Sequence, residues 1–309
     1  MKKLSFTLSF MFLLTLTFSV FAQNDQKPYL TKTFRLNSNG NLVTTTSGGS
    51  IKVTGTSGSD VKVVMYVRPN NWKNRDEAPS AEALEKYRFE VRQEGNTVYA
   101  IAERKDQKWD NKTALNVSFE IEVPEKIATK LSTSGGSISL AHVSGHQQAN
   151  TSGGSLNFQD LQGEVDGSTS GGSITVSRFS GNLDATTSGG SIKLNEATGA
   201  LKVSTSGGSI SLNKVSGDIS AHTSGGSINA DVEKLGKFLT LGTSGGSVRA
   251  TIPANQGLDL DLAGNRVKTT VTNFTGTAKD DRVKGSMNGG GIPVKMSTSG
   301  GTTELSYRM

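Results

Sequence analysis

The chain has 309 residues, a formal net charge of +6 at pH 7 and no cysteine. A positive charge this weak does not indicate a nucleic-acid partner, and without cysteine the chain forms no disulfide and carries no lipid on a cysteine side chain. Glycine is abundant, at 37 residues, so the order of the glycines must show whether the chain is a flexible linker or a regular repeat.

The N-terminal segment, residues 1–22, has the pattern of an export signal. Lys2 and Lys3 precede an apolar run from Phe6 to Val20, and Ala22 is small enough for the position before a signal peptidase cut. The alternative is an N-terminal membrane anchor, but the run is shorter than the ~20 apolar residues that cross a bilayer. We therefore expect residues 1–22 to be a cleaved signal peptide and the mature chain to have no membrane span. The expected destination is the periplasm, the cell surface or the extracellular space.

Residues 23–56 contain the first copy of a short pattern that returns later, with Thr46 followed by Ser-Gly-Gly-Ser and then Ile51 and Val53. Apolar residues two apart are typical of a strand with alternate side chains facing inward. We interpret this segment as the first rung of a repetitive β-structure.

Residues 57–131 differ from the rest in being rich in charged and aromatic residues. Four alternating stretches predict longer strands, at 61–67, 87–91, 97–101 and 115–123, and Glu94-Gly95-Asn96 predicts a hairpin turn. Ser80 is a good N-cap for one short helix over 80–86. We expect this block to be an antiparallel β-rich cap that covers the open end of the repeats.

The same block holds the residues that we consider the candidate ligand-binding surface. They are Arg68, Trp72, Lys73, Arg75 and Trp109. Tryptophan beside cations is a common surface for contact with a sugar or protein. The alternative is that both indoles fill the core of the cap.

Residues 132–309 are organised by the tetrapeptide Thr-Ser-Gly-Gly, which returns with an 18-residue period that lengthens once to 20. These copies begin at Thr133, Thr151, Thr169, Thr187, Thr205, Thr223 and Thr243, and a last copy begins at Thr298. A fixed short period indicates one structural unit stacked on its neighbours.

Within the unit, counted from the threonine as position 1, positions 6, 8, 15 and 17 are mostly aliphatic. Glycine at position 13 and Ser-Gly-Gly at the other end supply the corners between two short strands. The pattern predicts an all-β chain, a single-chain parallel β-solenoid (β-helix) with 18-residue rungs and the N-terminal cap described above. The threonine column is expected at the coil edge, partly buried, with its hydroxyls in a ladder along the stack. A left-handed hexapeptide helix would need aliphatic residues at positions 12 and 18, which are polar here, and the handedness of the coil stays open.

Four elements in this order resemble the bacterial putative-adhesin family, an exported β-strand-repeat domain of unknown function. They are Gly-Gly-Ser-Ile-Lys-Val-Thr-Gly at 48–55, the valine-rich strand at 61–67, Ile-Glu-Val-Pro at 121–124 and the closing glycine-rich segment at 289–301. The resemblance covers most of the mature chain and implies an exported, non-enzymatic β-solenoid. It supplies no binding residues.

Catalytic and metal chemistry is not indicated. Asp166 and Asp184, one rung apart, are the best acid pair for a polysaccharide-active enzyme, but no cluster of acids, cations or aromatic residues surrounds them in the pattern. His142 and His146 are four positions apart on strand and turn, which does not direct both imidazoles to one metal. The threonine column could form an ice- or glycan-binding lattice only if it faced outward.

We therefore expect a protein without enzymatic activity, cofactor or metal. Its expected role is surface adhesion or a cell-envelope interaction scaffold, with a cell-surface glycan or protein as partner. The alternatives are a polysaccharide-active enzyme on the same fold and a purely structural spacer.

Overall fold

The computed structural model describes residues 27–37, 39–70, 77–106 and 112–308. Over these residues the chain forms 22 strands and one short helix, which confirms the expectation of an all-β chain. The predicted signal peptide, residues 1–22, lies outside the described residues. In the part that is described, no helix is long and apolar enough to cross a membrane.

The strands before the strict repeats include all four that the alternation predicts. Ahead of the repeats come β1 (Leu30–Arg35), β2 (Gly40–Thr46), β3 (Ile51–Thr56), β4 (Asp60–Pro69), α1 (Ala81–Glu85), β5 (Tyr87–Glu94), β6 (Thr97–Arg104) and β7 (Leu115–Pro124). The repeats hold β8 (Ile127–Thr133), β9 (Ile138–Ala141), β10 (Ser144–Thr151), β11 (Leu156–Thr169), β12 (Ile174–Thr187), β13 (Ile192–Thr205), β14 (Ile210–Thr223), β15 (Ile228–Thr243) and β16 (Val248–Pro253). The chain ends with β17 (Leu258–Ala263), β18 (Arg266–Thr269), β19 (Phe274–Ala278), β20 (Arg282–Met287), β21 (Ile292–Thr298) and β22 (Thr302–Arg308).

Successive repeats pair in parallel with an offset of one repeat. Val165 lies beside Leu183, and Leu183 lies beside Leu201, so each partner occupies the same position in the next unit of the chain. The same position of every unit therefore forms a column along the stack, at the ~4.8 Å spacing of paired strands. The longer interval before Thr243 is absorbed by register irregularities between β14 and β15.

The four columns that were predicted to face inward, at positions 6, 8, 15 and 17, are buried. A fifth buried column was not predicted. Position 11 is also buried in the five repeats of 18 residues, at Val143, Leu161, Phe179, Ala197 and Val215. The residue before it, at position 10, has a positive φ of 51–58°. A left-handed residue turns the chain at this corner and interrupts the alternation of inward and outward side chains. The side chain at position 11 therefore points inward, although strict alternation from positions 6 and 8 would direct it outward. The corner predicted at the position-13 glycine therefore begins three positions earlier.

The threonine column is buried, as expected, but its hydroxyls do not bond to one another. Thr187 is 1% exposed, and its Oγ1 donates to the carbonyl of Gly172 in the preceding repeat at 2.7 Å. The same oxygen accepts the N–H of Gly190 in its own repeat at 3.4 Å. The ladder thus alternates between threonine hydroxyls and glycine backbone groups, and it satisfies polar groups at a dry corner.

At the N-terminal end, the first rung is inserted into the stack and does not lie at its edge. β2 pairs in parallel with both β6 and β8, and β3 with both β7 and β9. β4 lies antiparallel to β7, and β5 forms the predicted hairpin with β6. β1, which belongs to the segment 23–56, pairs antiparallel with β4 and so lies with the block 57–131. The predicted helix is present, and Ser80 accepts the N–H of Ala83 as its N-cap.

The C-terminal end repeats this arrangement. β21 pairs in parallel with both β15 and β17, and β22 with both β16 and β18. The copy at Thr298 therefore lies beside Thr243. Residues 258–269, which form β17 and β18, pair with the opposite edge of β21 and β22. The last copy in the sequence is therefore not the last in space, because the final segment of the chain is inserted between two earlier ones. Beyond β17, β20 pairs antiparallel with β17, and β19 pairs antiparallel with the other edge of β20.

Candidate binding faces of the repeat stack

The structure describes one of the five candidate ligand-binding residues. Arg68 lies near the end of β4, half-buried, opposite Asn116 of β7. Trp72, Lys73, Arg75 and Trp109 lie outside the described residues. Whether they form a binding surface or a core stays a prediction.

The candidate acid pair lies on a surface face formed by positions 14 and 16. Asp166 and Asp184 are cross-strand partners in β11 and β12, as their spacing predicts. Asp184 accepts a hydrogen bond from Nζ of Lys202 in the next repeat at 2.7 Å, and this bond raises the lysine pKa. Asp184 is therefore the counter-ion of a solvent-exposed ion pair.

A second face is formed by positions 7 and 9 of the repeats, the outward-facing residues of the strand that begins at position 6. A shallow groove of about 650 Å³ runs over it. Its polar lining residues are Thr175, Ser177, Lys193, Asn195, Ser211, Asn213, Asn229, Asp231, Arg249 and Thr251. We call this set the amide face, because amides and hydroxyls predominate.

The amide face is held together by one contact between neighbouring repeats and by two ion pairs to the C-terminal strand β22. Nδ2 of Asn213 donates to Oδ1 of Asn195 at 2.6 Å, and Arg249 pairs with Glu304 at 3.5 Å. Asp231 is paired with Arg308. Lys193 is exposed and forms no ion pair with any described residue. The face therefore offers one available cation among amides and hydroxyls.

The left-handed corner at position 10 carries a row of ionisable side chains, and from Asp160 to Lys214 their charge alternates in sign from repeat to repeat. The row runs through His142, Asp160, Arg178, Glu196 and Lys214. Asp160 lies 3.3 Å from Nδ1 of His142 and accepts a hydrogen bond from Nη2 of Arg178 at 2.7 Å, and Lys214 lies 4.0 Å from Glu196. The bond from Arg178 lowers the pKa of Asp160 and raises the pKa of the guanidinium.

The sequence reading missed this charge row. Its signal is present in the sequence, since position 10 changes sign with every unit from Asp160 to Lys214. Opposite charges directly across paired strands stabilise a sheet, whereas like charges destabilise it. The row thus favours the pairing in which position 10 of one repeat lies beside position 10 of the next, because this register places opposite charges next to each other.

The three histidines have separate surroundings. Nδ1 of His142 faces Asp160, whereas Nδ1 of His146 lies 3.1 Å from Oε2 of Glu164. His222 is exposed and lies across from Gly242 in β15. His142 and His146 thus contact different carboxylates.

No family model matches this chain, and no curated protein matches it. Several solved structures match this chain at low identity. One described as a putative lipid binding protein from Parabacteroides distasonis is 12% identical, with 91% of this chain and 97% of that chain covered and a TM-score of 0.47. A putative adhesin from Bacteroides fragilis is 11% identical, with 89% and 96% covered and a TM-score of 0.38. Another putative adhesin from Parabacteroides distasonis is 10% identical, with 91% and 98% covered and a TM-score of 0.35.

Two of these three names are consistent with the putative-adhesin resemblance of the sequence. With TM-scores below 0.5 and identities this low, the likeness says nothing about what the chain binds.

Proposed function

We propose that this protein is an exported, non-enzymatic parallel β-solenoid that adheres to a cell-surface glycan through its amide face. The observation that carries the proposal is the register of one whole unit between neighbouring strands, which places like positions above one another along the stack. A repetitive protein surface is suited to a repetitive polymer, because one contact made at each rung is multiplied along the chain.

The chemistry of the face supports a glycan partner. Amide and hydroxyl groups both donate and accept hydrogen bonds, as sugar hydroxyls do. Position 7 runs from Ser139 to Arg249 over seven strands, so this column extends over ~29 Å at the spacing of paired strands. Lys193 forms no ion pair with any residue that the structure describes, so its charge favours an acidic sugar over a neutral one.

The absence of catalysis is part of the same proposal. Asp184 is engaged by Lys202, and the groove over the amide face is shallow and open to solvent. A binding role needs only this rigid surface. The rival enzyme hypothesis would require turnover of an acidic polysaccharide that is lost on Asp166→Asn.

The test is binding of the purified protein to a panel of acidic and neutral glycans, with a matched pair of variants. Lys193→Ser removes the available cation and introduces a residue that column 7 already uses at Ser211. Lys130→Ser removes the same charge from an exposed position on β8, in column 16. We expect Lys193→Ser to weaken binding of an acidic glycan about five- to tenfold, which corresponds to one charged contact of ~1 kcal/mol, and Lys130→Ser to leave it unchanged.

Equal weakening by both variants would show nonspecific charge attraction and contradict a site on the amide face. Absence of binding to any glycan by the folded protein would favour the structural spacer.

A further inference from the structure

The face formed by positions 14 and 16 brings together three side chains of metal-ligand type on two neighbouring strands. His146 of β10 lies directly beside Glu164 of β11, and Asp166 follows two positions later on the same side of β11. One donor atom from each residue lies within 4.8 Å of the others. We propose that His146, Glu164 and Asp166 form a surface site for a divalent transition metal of the zinc type.

The arrangement follows from strand geometry. Cross-strand neighbours lie ~5 Å apart, and residues two apart on one strand lie ~7 Å apart on the same face. One residue on the first strand can therefore reach two on the second. Nδ1 of His146 lies 3.1 Å from Oε2 of Glu164, and Nε2 lies 4.0 Å from Oδ2 of Asp166. One ring nitrogen of His146 therefore lies within 4.8 Å of a carboxylate oxygen of each acid.

The donor set favours zinc over calcium or magnesium. Imidazole nitrogen suits zinc, copper and nickel, whereas the hard cations prefer oxygen donors alone. Zinc binds histidine nitrogen and carboxylate oxygen at about 2.0–2.2 Å, and all three side chains here are about half exposed and free to close to that distance. Three protein donors leave a fourth tetrahedral position for water or for a ligand atom of a partner.

Other repeats lack this combination. At positions 14 and 16 the next repeat has Asn182 and Asp184, and the one after it has Ala200 and Lys202. In the described part of the chain, His146, Glu164 and Asp166 are the one group of three such donors. Lys202 is bonded to Asp184 and acts on Asp166 only through its longer-range charge. The carboxylate of Asp166 is therefore available for a cation.

The test uses the untagged protein and zinc chloride in isothermal titration calorimetry, with cobalt(II) absorption as a second measurement. We expect one saturable site per chain. Glu164→Gln and Asp166→Asn keep the side-chain shape and remove one donor charge, and His146→Ala removes the nitrogen donor. Each is expected to weaken zinc binding at least about tenfold.

His142→Ala and His222→Ala are the matched controls, because among the described residues neither exposed imidazole belongs to a group of three potential metal ligands. Both are expected to bind zinc as the wild type does. Binding that survives His146→Ala, or is lost equally in His142→Ala, would overturn the assignment. So would the absence of a saturable site in the wild type. Thermal melts without metal identify any variant that has lost its fold, and in that case the two isosteric carboxylate variants decide.

Discussion

Gly167 lies against the ring of Phe158: a Cβ at Gly167 would be 2.8 Å from Cε2 of that ring. The neighbouring repeats have alanine in the column of Gly167, at Ala149 and Ala185, and a smaller residue in the column of Phe158. The missing methyl group therefore compensates for the larger ring. In this repeat the two core positions are matched in volume, which is what dense packing requires.

Gly167→Ala is expected to destabilise the protein by about 1–3 kcal/mol, because the added methyl group overpacks a dry core. Phe158→Leu is expected to remove most of this penalty when combined with Gly167→Ala, since leucine and alanine are the pair used one repeat earlier. Urea unfolding of both single variants and the double variant measures the coupling. Additive effects, or a neutral Gly167→Ala, would contradict the packing relationship.

The two glycines of each turn should respond very differently to substitution. A Cβ at Gly190 would lie 2.0 Å from the carbonyl oxygen of Gly172, whereas at Gly189 the nearest atom is 3.5 Å away. We expect Gly190→Ala to cost about 3 kcal/mol or more, because a backbone carbonyl cannot move aside, and Gly189→Ala to change stability by less than about 0.5 kcal/mol.

Chemical denaturation of these two variants provides its own control, since they differ only in which of two adjacent glycines carries the methyl group. Equal stability of the pair would mean that the repeats do not approach each other as closely as the structure shows.

The charge row predicts a pH dependence. The bond from Arg178 holds the pKa of Asp160 below its ordinary value. Ionised Asp160 therefore contributes stability that is fully present above the unfolded-state pKa of ~3.9, and that is lost as the pH falls through the lower folded-state pKa. In Arg178→Gln we expect the pKa of Asp160, followed by NMR titration, to rise toward its ordinary value.

The stability difference between wild type and Arg178→Gln should accordingly shrink as the pH is lowered from about 5 to about 2. Lys202→Gln removes a cation that is bonded to Asp184 and not to Asp160. It should leave the pKa of Asp160 where it is in the wild type. An Asp160 that titrates identically in Arg178→Gln would show that the bond is not formed in solution.

Much of the stack could be predicted because its causes are local. Alternation at positions 6 and 8 requires only that a strand has one face in the core, and Ile174 and Val176 are buried accordingly. The burial of position 11 has a signal in the sequence, because Val143, Leu161, Phe179, Ala197 and Val215 are all apolar. Strict alternation misses this column, since the left-handed residue at position 10 interrupts the period of two. The proximity of His146 to Glu164 and Asp166 does not follow from spacing along the chain. The partner of His146 across the paired strands is Glu164 in the next repeat, whereas the nearby histidine in the sequence, His142, faces Asp160.

The sequence by itself determined the all-β class, the repeat period and four of the inward columns, because each repeat contains the whole pattern and stacks on a near-copy of itself. Only the tertiary structure decided which segments lie at the two ends. β2 is inserted between β6 and β8, and β21 is inserted between β15 and β17. Neither strand is next in the sequence to the strands that it pairs with. The physical reason is that any unpaired strand edge can accept any compatible strand, so the choice depends on how the whole chain closes its ends and not on the residues of one strand.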